Sequence, residues 1–576
     1  MTSGVAARRV TIYHPFMDPR PAIVQSDRCV LLEVDHPGYE AARRLLCRFA
    51  ELEKSPEHVH TYRISALSLW NAASAGMTAT DVIDGLASVS RFALPETIAR
   101  EITELMGRHG LCRLENDQDG DDGYLVLQVA DAKLAARFIS DKKLGSLLMK
   151  RDEQLLLRRA HRGAVKQYVL GLGYPVDDRA GLIDGEKLEL GLRLDAFSLY
   201  PYQESALRAF LDSGSHGVVV LPCGAGKTIL GASVIAELQT RALVVTTSRE
   251  ACSQWRRELL ARTTLTAAEI AIYSSDKKAM GAVTITTYGM LAQKGGSGPT
   301  GCRHFDLLAR EPWGILIYDE VHLLPAPIFR LAAELQARRR LGLTATLVRE
   351  DGRAGDVFAL VGPKRYDVPW RDLEASGHIA AAACFELRIP LTDEARAEYN
   401  CASARERHQL AAENPEKLRI VGDLLERHAG DRVLVVGSYL DSLRACANAY
   451  SLPIVTGETP HSQREELYDG FRKGTVRRLA LSRVGGLALD LPDANVLIQI
   501  SGTMGSRQEE AQRLGRVLRP KPGGATFYTL VSFDTVEQES ALHRQLFLTE
   551  QGYRYYIEDV RPVAEQGNER GGQTLH

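Results

Sequence analysis

Apolar residues along this chain arrive in short β-branched bursts, and between the bursts they recur at helical spacing. Residues 216–220, 242–246, 283–286, 315–318 and 341–343 form one series of bursts. Short apolar runs separated by helical stretches read as strands buried on both faces, and regular β–α alternation predicts a parallel sheet covered by helices. After Val361 a second series begins, with bursts at 383–389, 433–436, 454–455, 478–482, 496–500 and 525–531. It predicts a second α/β unit, with a charged helical insert over 392–414 between its first two strands. Ligands of such sheets gather at the C-terminal ends of the strands. The residues able to do chemistry stand at those ends.

The first 196 residues follow another pattern. Residues 23–25 and 29–34 predict strands around a Ser26-Asp27-Arg28 turn, and 37–52 predicts an amphipathic helix. The stretch 65–91 is helical, with Thr78-Ala79-Thr80-Asp81 as a start signal, and 95–109 is a further helix. Residues 111–114 and 124–129 predict a hairpin around the acidic loop 115–122. Helices followed by a hairpin resemble a winged-helix arrangement, which serves either as a docking module or as a packing domain. Residues 141–196 are charged and transitional. Their densest basic cluster, Arg158, Arg159, His161 and Arg162, suits either a phosphate contact or a solvated helix face. The expected organisation is an accessory α+β domain over 1–140, a linker or small module over 141–196, α/β domains over 197–372 and 373–557, and a flexible polar tail over 558–576.

Composition narrows the class without naming a partner. A length of 576 residues suits about four domains of ordinary size. No apolar run approaches the ~18 residues of a membrane span, and residues 1–16 lack the apolar core of a secretory signal. A cytoplasmic protein is expected. The nine cysteines contain no CxxC pair, so neither a zinc site nor an iron–sulfur cluster is predicted. A net charge of -2 decides nothing about nucleic acid, because a local basic groove can hide in the sum.

The motif at the centre is Leu221-Pro222-Cys223-Gly224-Ala225-Gly226-Lys227-Thr228, placed between the burst at 216–220 and an apolar helical stretch. Strand, glycine loop, Lys-Thr and helix make a P-loop in its expected setting. Glycines let backbone N–H groups approach phosphate oxygens at a helix N-terminus. Lys227 can reach the β- and γ-phosphates, and the Thr228 hydroxyl can ligate Mg²⁺. Leu221 stands where a strict P-loop has glycine. Upstream, Gln203 offers an amide that can both donate to and accept from adenine. The burst at 315–318 ends in Asp319 and Glu320, a Walker B pair: Asp319 for the metal, Glu320 for the attacking water. His322 follows, and Thr344-Ala345-Thr346 ends the next strand, where small hydroxyls can couple the phosphate site to the second domain. In the second half, Gln512, Arg516 and Arg519 fall at i, i+4 and i+7 on one helical face. Arginines aimed at one spot suit an anion, and arginine fingers contribute about 10³–10⁵ to kcat in phosphoryl transfer.

These motifs in this order resemble a superfamily 2 helicase. The match is closer to the XPB family, the ATPase of transcription factor TFIIH and its archaeal and bacterial relatives. It rests on the P-loop, Asp319-Glu320-Val321-His322, Arg349-Glu350-Asp351 after Thr344-Ala345-Thr346, Asp490-Leu491-Pro492, 495–501, the arginine helix and Glu550-Gln551-Gly552-Tyr553. The resemblance covers 197–557 strongly and the N-terminal part weakly. It implies two RecA-like domains, ATP and Mg²⁺ as cofactors, and a 3′→5′ DNA helicase acting in DNA repair or transcription. It implies that Arg349, Glu350 and Asp351 serve DNA opening, that 392–414 is a short version of the family's thumb, and that 163–196 corresponds to its damage-recognition module. On the helicase pattern, Thr247, Thr287, Ser438 and Arg483 would contact DNA phosphates and Asp490 the ribose. Expected partners are DNA junctions and a nuclease or repair or transcription proteins, with no membrane; the protein would join the nucleoid when bound to DNA. The alternatives are a duplex translocase that does not separate strands, an RNA helicase and a non-catalytic scaffold.

Overall fold

The computed structural model describes residues 20–55, 58–117, 123–180, 184–195, 197–222, 224–295, 302–323, 335, 337, 339–345, 354–368, 370–482, 494–502, 524–550, 553 and 555–560. The chain divides into two compact units, Met1–Gly107 and Arg108–His576.

The first unit holds a four-stranded antiparallel sheet in the order Ala22–Val24, Cys29–Glu33, Val59–Arg63, Glu51–Lys54. Its helices are Tyr39–Leu46, Ala66–Ser74, Ala79–Val89 and Glu96–Gly107. Capping boxes start two of them: Ser65 with Ser68, and Thr78 with Asp81. Each box satisfies backbone N–H groups that a helix start leaves unpaired. The helix expected over 37–52 stops at Leu46, because the chain turns back and pairs Leu52 with Tyr62.

The hairpin expected to complete a winged helix belongs to the second unit. Strands Cys112–Asn116 and Tyr124–Val129 join a five-stranded sheet in the order Leu148–Arg151, Gln154–Arg158, Tyr124–Val129, Cys112–Asn116, Val176–Asp178. Leu114, Leu125, Leu127, Leu155, Leu157, Phe138 and Val165 form its core. The boundary between compact units therefore lies at residue 107 rather than 140, and 141–178 completes a folded module instead of linking two. Pairing across 60 residues of sequence hides this from a local pattern.

This module buries a charge cluster on the side that faces the next domain. Arg162, expected on a surface or at a phosphate, instead grips Asp178 with two nitrogens at 2.8 and 2.6 Å. Lys166 reaches the same carboxylate at 2.7 Å, and all three side chains are buried. Burial alone would raise the Asp178 carboxyl, but Arg162 and Lys166 hold it far below the carboxylate range. Arg340, on the neighbouring domain's strand Arg339–Thr344, is buried close enough for Asp178 to act on its charge. Gln167 donates to Asp356 at 3.1 Å across the same junction. The following segment is also anchored: Leu188 N donates to Gln239 O at 2.8 Å, and Arg193 N to Arg262 O at 2.8 Å.

The two α/β domains each carry a seven-stranded, wholly parallel sheet. The first has the order Ile270–Ile272, Val283–Thr287, Ala242–Thr246, Ile315–Asp319, Arg339–Thr344, His216–Val220, Lys364–Asp367. The second runs Ile454–Val455, Arg478–Ser482, Val433–Gly437, Val496–Gln499, Ala525–Ser532, Ala382–Ile389, Tyr555–Asp559. The central strands are buried on both faces, as in Ala242–Thr246 and Val433–Gly437. Because all strands are parallel, their C-terminal ends share one edge of each sheet. The insert over 392–414 forms helices Asp393–Cys401 and Ala404–Ala412.

Candidate active site

The site is built on the C-terminal edge of the first parallel sheet. Strand His216–Val220 ends in buried Leu221, whose N–H donates to Thr344 O at 2.9 Å. That backbone bond ties the P-loop to the strand beside it. Gly224 and Gly226 take left-handed φ values of 82° and 77°. A Cβ at Gly226 would also lie 2.4 Å from Gln203 Nε2 and push that amide off the Ala225 carbonyl. Helix Lys227–Leu238 starts directly after it and points its N-terminus at the loop.

Gln203 is buried and holds the loop from behind. Its Nε2 donates to Ala225 O at 3.0 Å, and its Oε1 accepts from Tyr200 N at 3.0 Å. Tyr202 Oη donates to the same Ala225 carbonyl at 3.0 Å. The amide expected to read adenine thus also fixes the loop that would hold the phosphates.

Two strands away, Ile315–Asp319 ends in the carboxylate pair. Asp319 Oδ2 accepts from Trp255 Nε1 at 2.8 Å, and Asp319 Oδ1 from Glu320 N at 3.1 Å. Tyr288 Oη donates to the Asp319 carbonyl at 2.8 Å. Burial, with Glu320 beside it, raises the Asp319 carboxyl above the ordinary carboxylate range. Glu320 has φ 50°, a left-handed backbone rare outside glycine and common where a site stores strain. Its Oε1 lies 3.5 Å from Lys227 Nζ, and its Oε2 is buried without a hydrogen-bond partner among the described residues. Burial would raise the Glu320 carboxyl, but Lys227 and His322 pull it below its ordinary value. His322 Nδ1 is 2.6 Å from Thr344 Oγ1 and 3.5 Å from Glu320 Oε2. His322 therefore bridges the Walker B glutamate and the strand end expected to couple the two domains.

The donor set fits a nucleotide phosphate with a divalent cation. Two half-buried carboxylates face one ammonium, one Glu320 oxygen has no hydrogen bond among the described residues, and a glycine cradle leads into a helix N-terminus. Thr228, half-buried, is the second residue of that helix.

Other expected contacts lie along the same edge. Thr246 pairs in register with Thr287, the last pair of that ladder, and Thr247 follows directly. Thr247 is exposed, whereas the Thr287 hydroxyl accepts from Met290 N at 3.2 Å and caps a short helix. In the second sheet, Ser438 N donates to Ser501 Oγ at 3.0 Å. Cys223, Thr346, Arg349, Glu350, Asp351, Arg483, Asp490, Gln512, Arg516 and Arg519 lie outside the described residues. Sequence reasoning did not single out Trp255, Tyr202 or Tyr288. The available signal for Trp255 was one large aromatic in the otherwise charged helix Arg249–Arg262.

A P-loop sheet with an acidic pair two strands away, followed in the chain by a second wholly parallel seven-stranded sheet, defines a two-domain RecA-like nucleotide-driven motor. Comparisons with known proteins narrow the class. The family description ERCC3/RAD25/XPB C-terminal helicase matches residues 373–570. The type III restriction enzyme res subunit matches 196–349, and a helicase conserved C-terminal domain matches 22–153. The DNA 3′-5′ helicase XPB of Kineococcus radiotolerans is 48% identical over 552 residues, covering 95% of this chain and 98% of the relative. The DNA 3′-5′ helicase XPB of Mycobacterium tuberculosis is 47% identical, covering 94% and 98%. The TFIIH helicase/translocase subunit XPB/SSL2 of Saccharomyces cerevisiae is 32% identical, covering 93% and 71%. The chain belongs to the XPB family of helicases.

Proposed function

We infer that this chain is an ATP-dependent 3′→5′ DNA helicase that couples hydrolysis to movement along DNA and strand opening. The observation that carries this reading is the Lys227–Glu320–His322–Thr344 chain of contacts at the C-terminal edge of the first sheet, in a chain of this family. Lys227 is placed to neutralise phosphate charge, and Glu320, with its open oxygen, to take a proton from attacking water. Thr228 and Asp319 would hold Mg²⁺, which would polarise the phosphate oxygens when bound. Arg516 and Arg519 would supply positive charge from the second domain, with Gln512 on the same helix face. Gln203 would keep its hold on Ala225 while its remaining hydrogen-bonding capacity meets the base.

Thr247, Thr287, Ser438 and Arg483 are proposed to contact phosphates of one DNA strand, with Arg349, Glu350 and Asp351 at the opening point and Asp490 near the ribose. Such contacts read no sequence and weaken with salt. Work in repair or transcription, in the cytoplasm or on the nucleoid, is the setting this reading implies. Among the described residues no helix is long and apolar enough to cross a membrane.

Strand displacement with ATP on matched duplexes tests the reading, with a 3′ tail, a 5′ tail or no tail and Lys227→Ala as control. Unwinding from the 3′ tail alone is expected. DNA-stimulated hydrolysis without displacement on any of the three would overturn it in favour of duplex translocation, an activity that the name of the yeast relative includes.

A further inference from the structure

We propose that Trp255 is a positioning residue that aims Asp319 at the catalytic cation and makes that grip depend on DNA at the start of helix Arg249–Arg262. The inference rests on the reading above that Asp319 serves Mg²⁺. Three observations carry it.

The first is the hydrogen bond itself. Trp255 is 1% exposed, and its only polar side-chain atom donates to Asp319 Oδ2 at 2.8 Å. The other Asp319 oxygen is held by the N–H of Glu320 at 3.1 Å. Each oxygen thus has one fixed donor, which sets the plane of the carboxylate and the direction of its remaining lone pairs. A Phe would fill the same space without a donor. An indole N–H in a dry interior is costly unless an acceptor meets it, and here the acceptor is a charged one.

The second is the room made for the ring. Gly231 lies on the P-loop helix Lys227–Leu238, and a Cβ there would sit 2.3 Å from Trp255 Cη2. Glycine inside a helix costs about 0.5–1 kcal/mol relative to alanine. At this position it lets the indole pack closely against the helix that carries Lys227 and Thr228. The ring therefore touches Asp319 and the helix that bears Thr228, the two elements of the proposed metal site.

The third is the helix that carries the indole. It buries only Cys252, Trp255 and Leu259, and it starts at Ser248, whose side chain accepts from Ala251 N. Exposed Thr247 precedes that cap at the sheet edge expected to face DNA. Two helical turns, about 10 Å, separate this end from Trp255. Inside the helix no flexible joint intervenes, so a shift of its N-terminus carries the indole with it. Thr246 Oγ1 lies 3.4 Å from Cys252 Sγ and fixes the helix start to the strand end.

The test uses the full chain and a fluorescent ATP analogue, with Mg²⁺ titrated in the presence and absence of a single-stranded oligonucleotide. In Trp255→Phe, analogue binding in EDTA stays at the wild-type value. The half-saturating Mg²⁺ concentration rises by about tenfold to a hundredfold, the range of one hydrogen bond to a charged group. The oligonucleotide no longer changes it. A second measurement needs no Trp255 variant. In the chain labelled with 5-fluorotryptophan, Trp70, Trp313 and Trp370 are assigned in ¹⁹F spectra from their own Phe variants, which leaves Trp255 as the fourth of 4 lines. That line shifts when Mg²⁺ and analogue are added together, and again with DNA. Wild-type Mg²⁺ titrations in Trp255→Phe, or a fourth line that stays in place, would overturn the proposal. A wild-type chain whose analogue binding ignores Mg²⁺ would instead overturn the metal-site reading beneath it.

Discussion

Acid should loosen the P-loop domain through one histidine, His216, which opens the strand leading to the P-loop. Arg365 Nη2 lies 3.1 Å from His216 Nε2, and Arg365 Nε donates to His216 O at 2.9 Å. A guanidinium only donates, so Nε2 accepts and the imidazole is neutral with its proton on Nδ1. Burial first, then the charges of Arg365 and Lys166, push the pKa from 6.5 to about 4, against smaller upward pulls from the Gly214 carbonyl and Asp178. The folded state therefore binds fewer protons than the unfolded chain below pH 6.5. The stability is intact above that value and is lost as pH falls toward 4. Linkage between these two pKa values amounts to about 2 kcal/mol at pH 5 and about 3 kcal/mol at pH 4. The assay is urea unfolding of the full chain at a series of pH values, following the transition that carries this domain, against His216→Gln. Glutamine keeps an acceptor for Arg365 and does not titrate. The difference between the two proteins cancels the carboxylates they share. A wild-type-minus-variant difference that stays flat from pH 7 to 4 would refute the reasoning.

Two further substitutions test the site and its support. Glu320→Gln removes the proton acceptor and Lys227→Ala the phosphate cation; each should lower DNA-stimulated hydrolysis by at least about 10²-fold, while anisotropy shows DNA affinity largely retained. Full hydrolysis by either variant would contradict the assignment. Asp178→Asn leaves Arg162 and Lys166 buried without their shared carboxylate, a change expected to cost about 3–5 kcal/mol. Lower thermal stability and faster proteolytic cleavage around 180–195 should report the loosened module, and adding Lys166→Met should recover part of the loss.

The Gln167–Asp356 bond and the charge cluster around Asp178 give the module over 112–178 a definite mechanical place. It meets the first parallel sheet at the start of strands His216–Val220 and Arg339–Thr344, the end opposite the P-loop. The nucleotide site and the module thus sit at opposite ends of the same strands. Two adjacent central strands, buried on both faces, are a stiff link between them.

Much of the motor could be read from residue order alone. P-loop, acidic pair and the alternation of apolar bursts with helices are local patterns, because a strand buried on both faces must be apolar along its whole length and a phosphate loop must place glycines before Lys-Thr. What escaped was set by contacts between distant residues. Strand Lys364–Asp367 reads Lys-Arg-Tyr-Asp, and it joins the sheet only because the P-loop strand offers its free edge. The hairpin at 112–129 looks the same in sequence whichever sheet it joins, and pairing with Gln154–Arg158 and Val176–Asp178 decided that. Arg162 belongs to a basic run that suits a surface, until Asp178 is folded against it. Trp255 is one aromatic in a charged helix, and only the packing of that helix on Gly231 brings its N–H to Asp319. Chemistry carried by neighbours in the chain is written in the sequence, whereas a carboxylate's orientation or a buried ion pair exists only once tertiary structure has excluded water and brought the partners together.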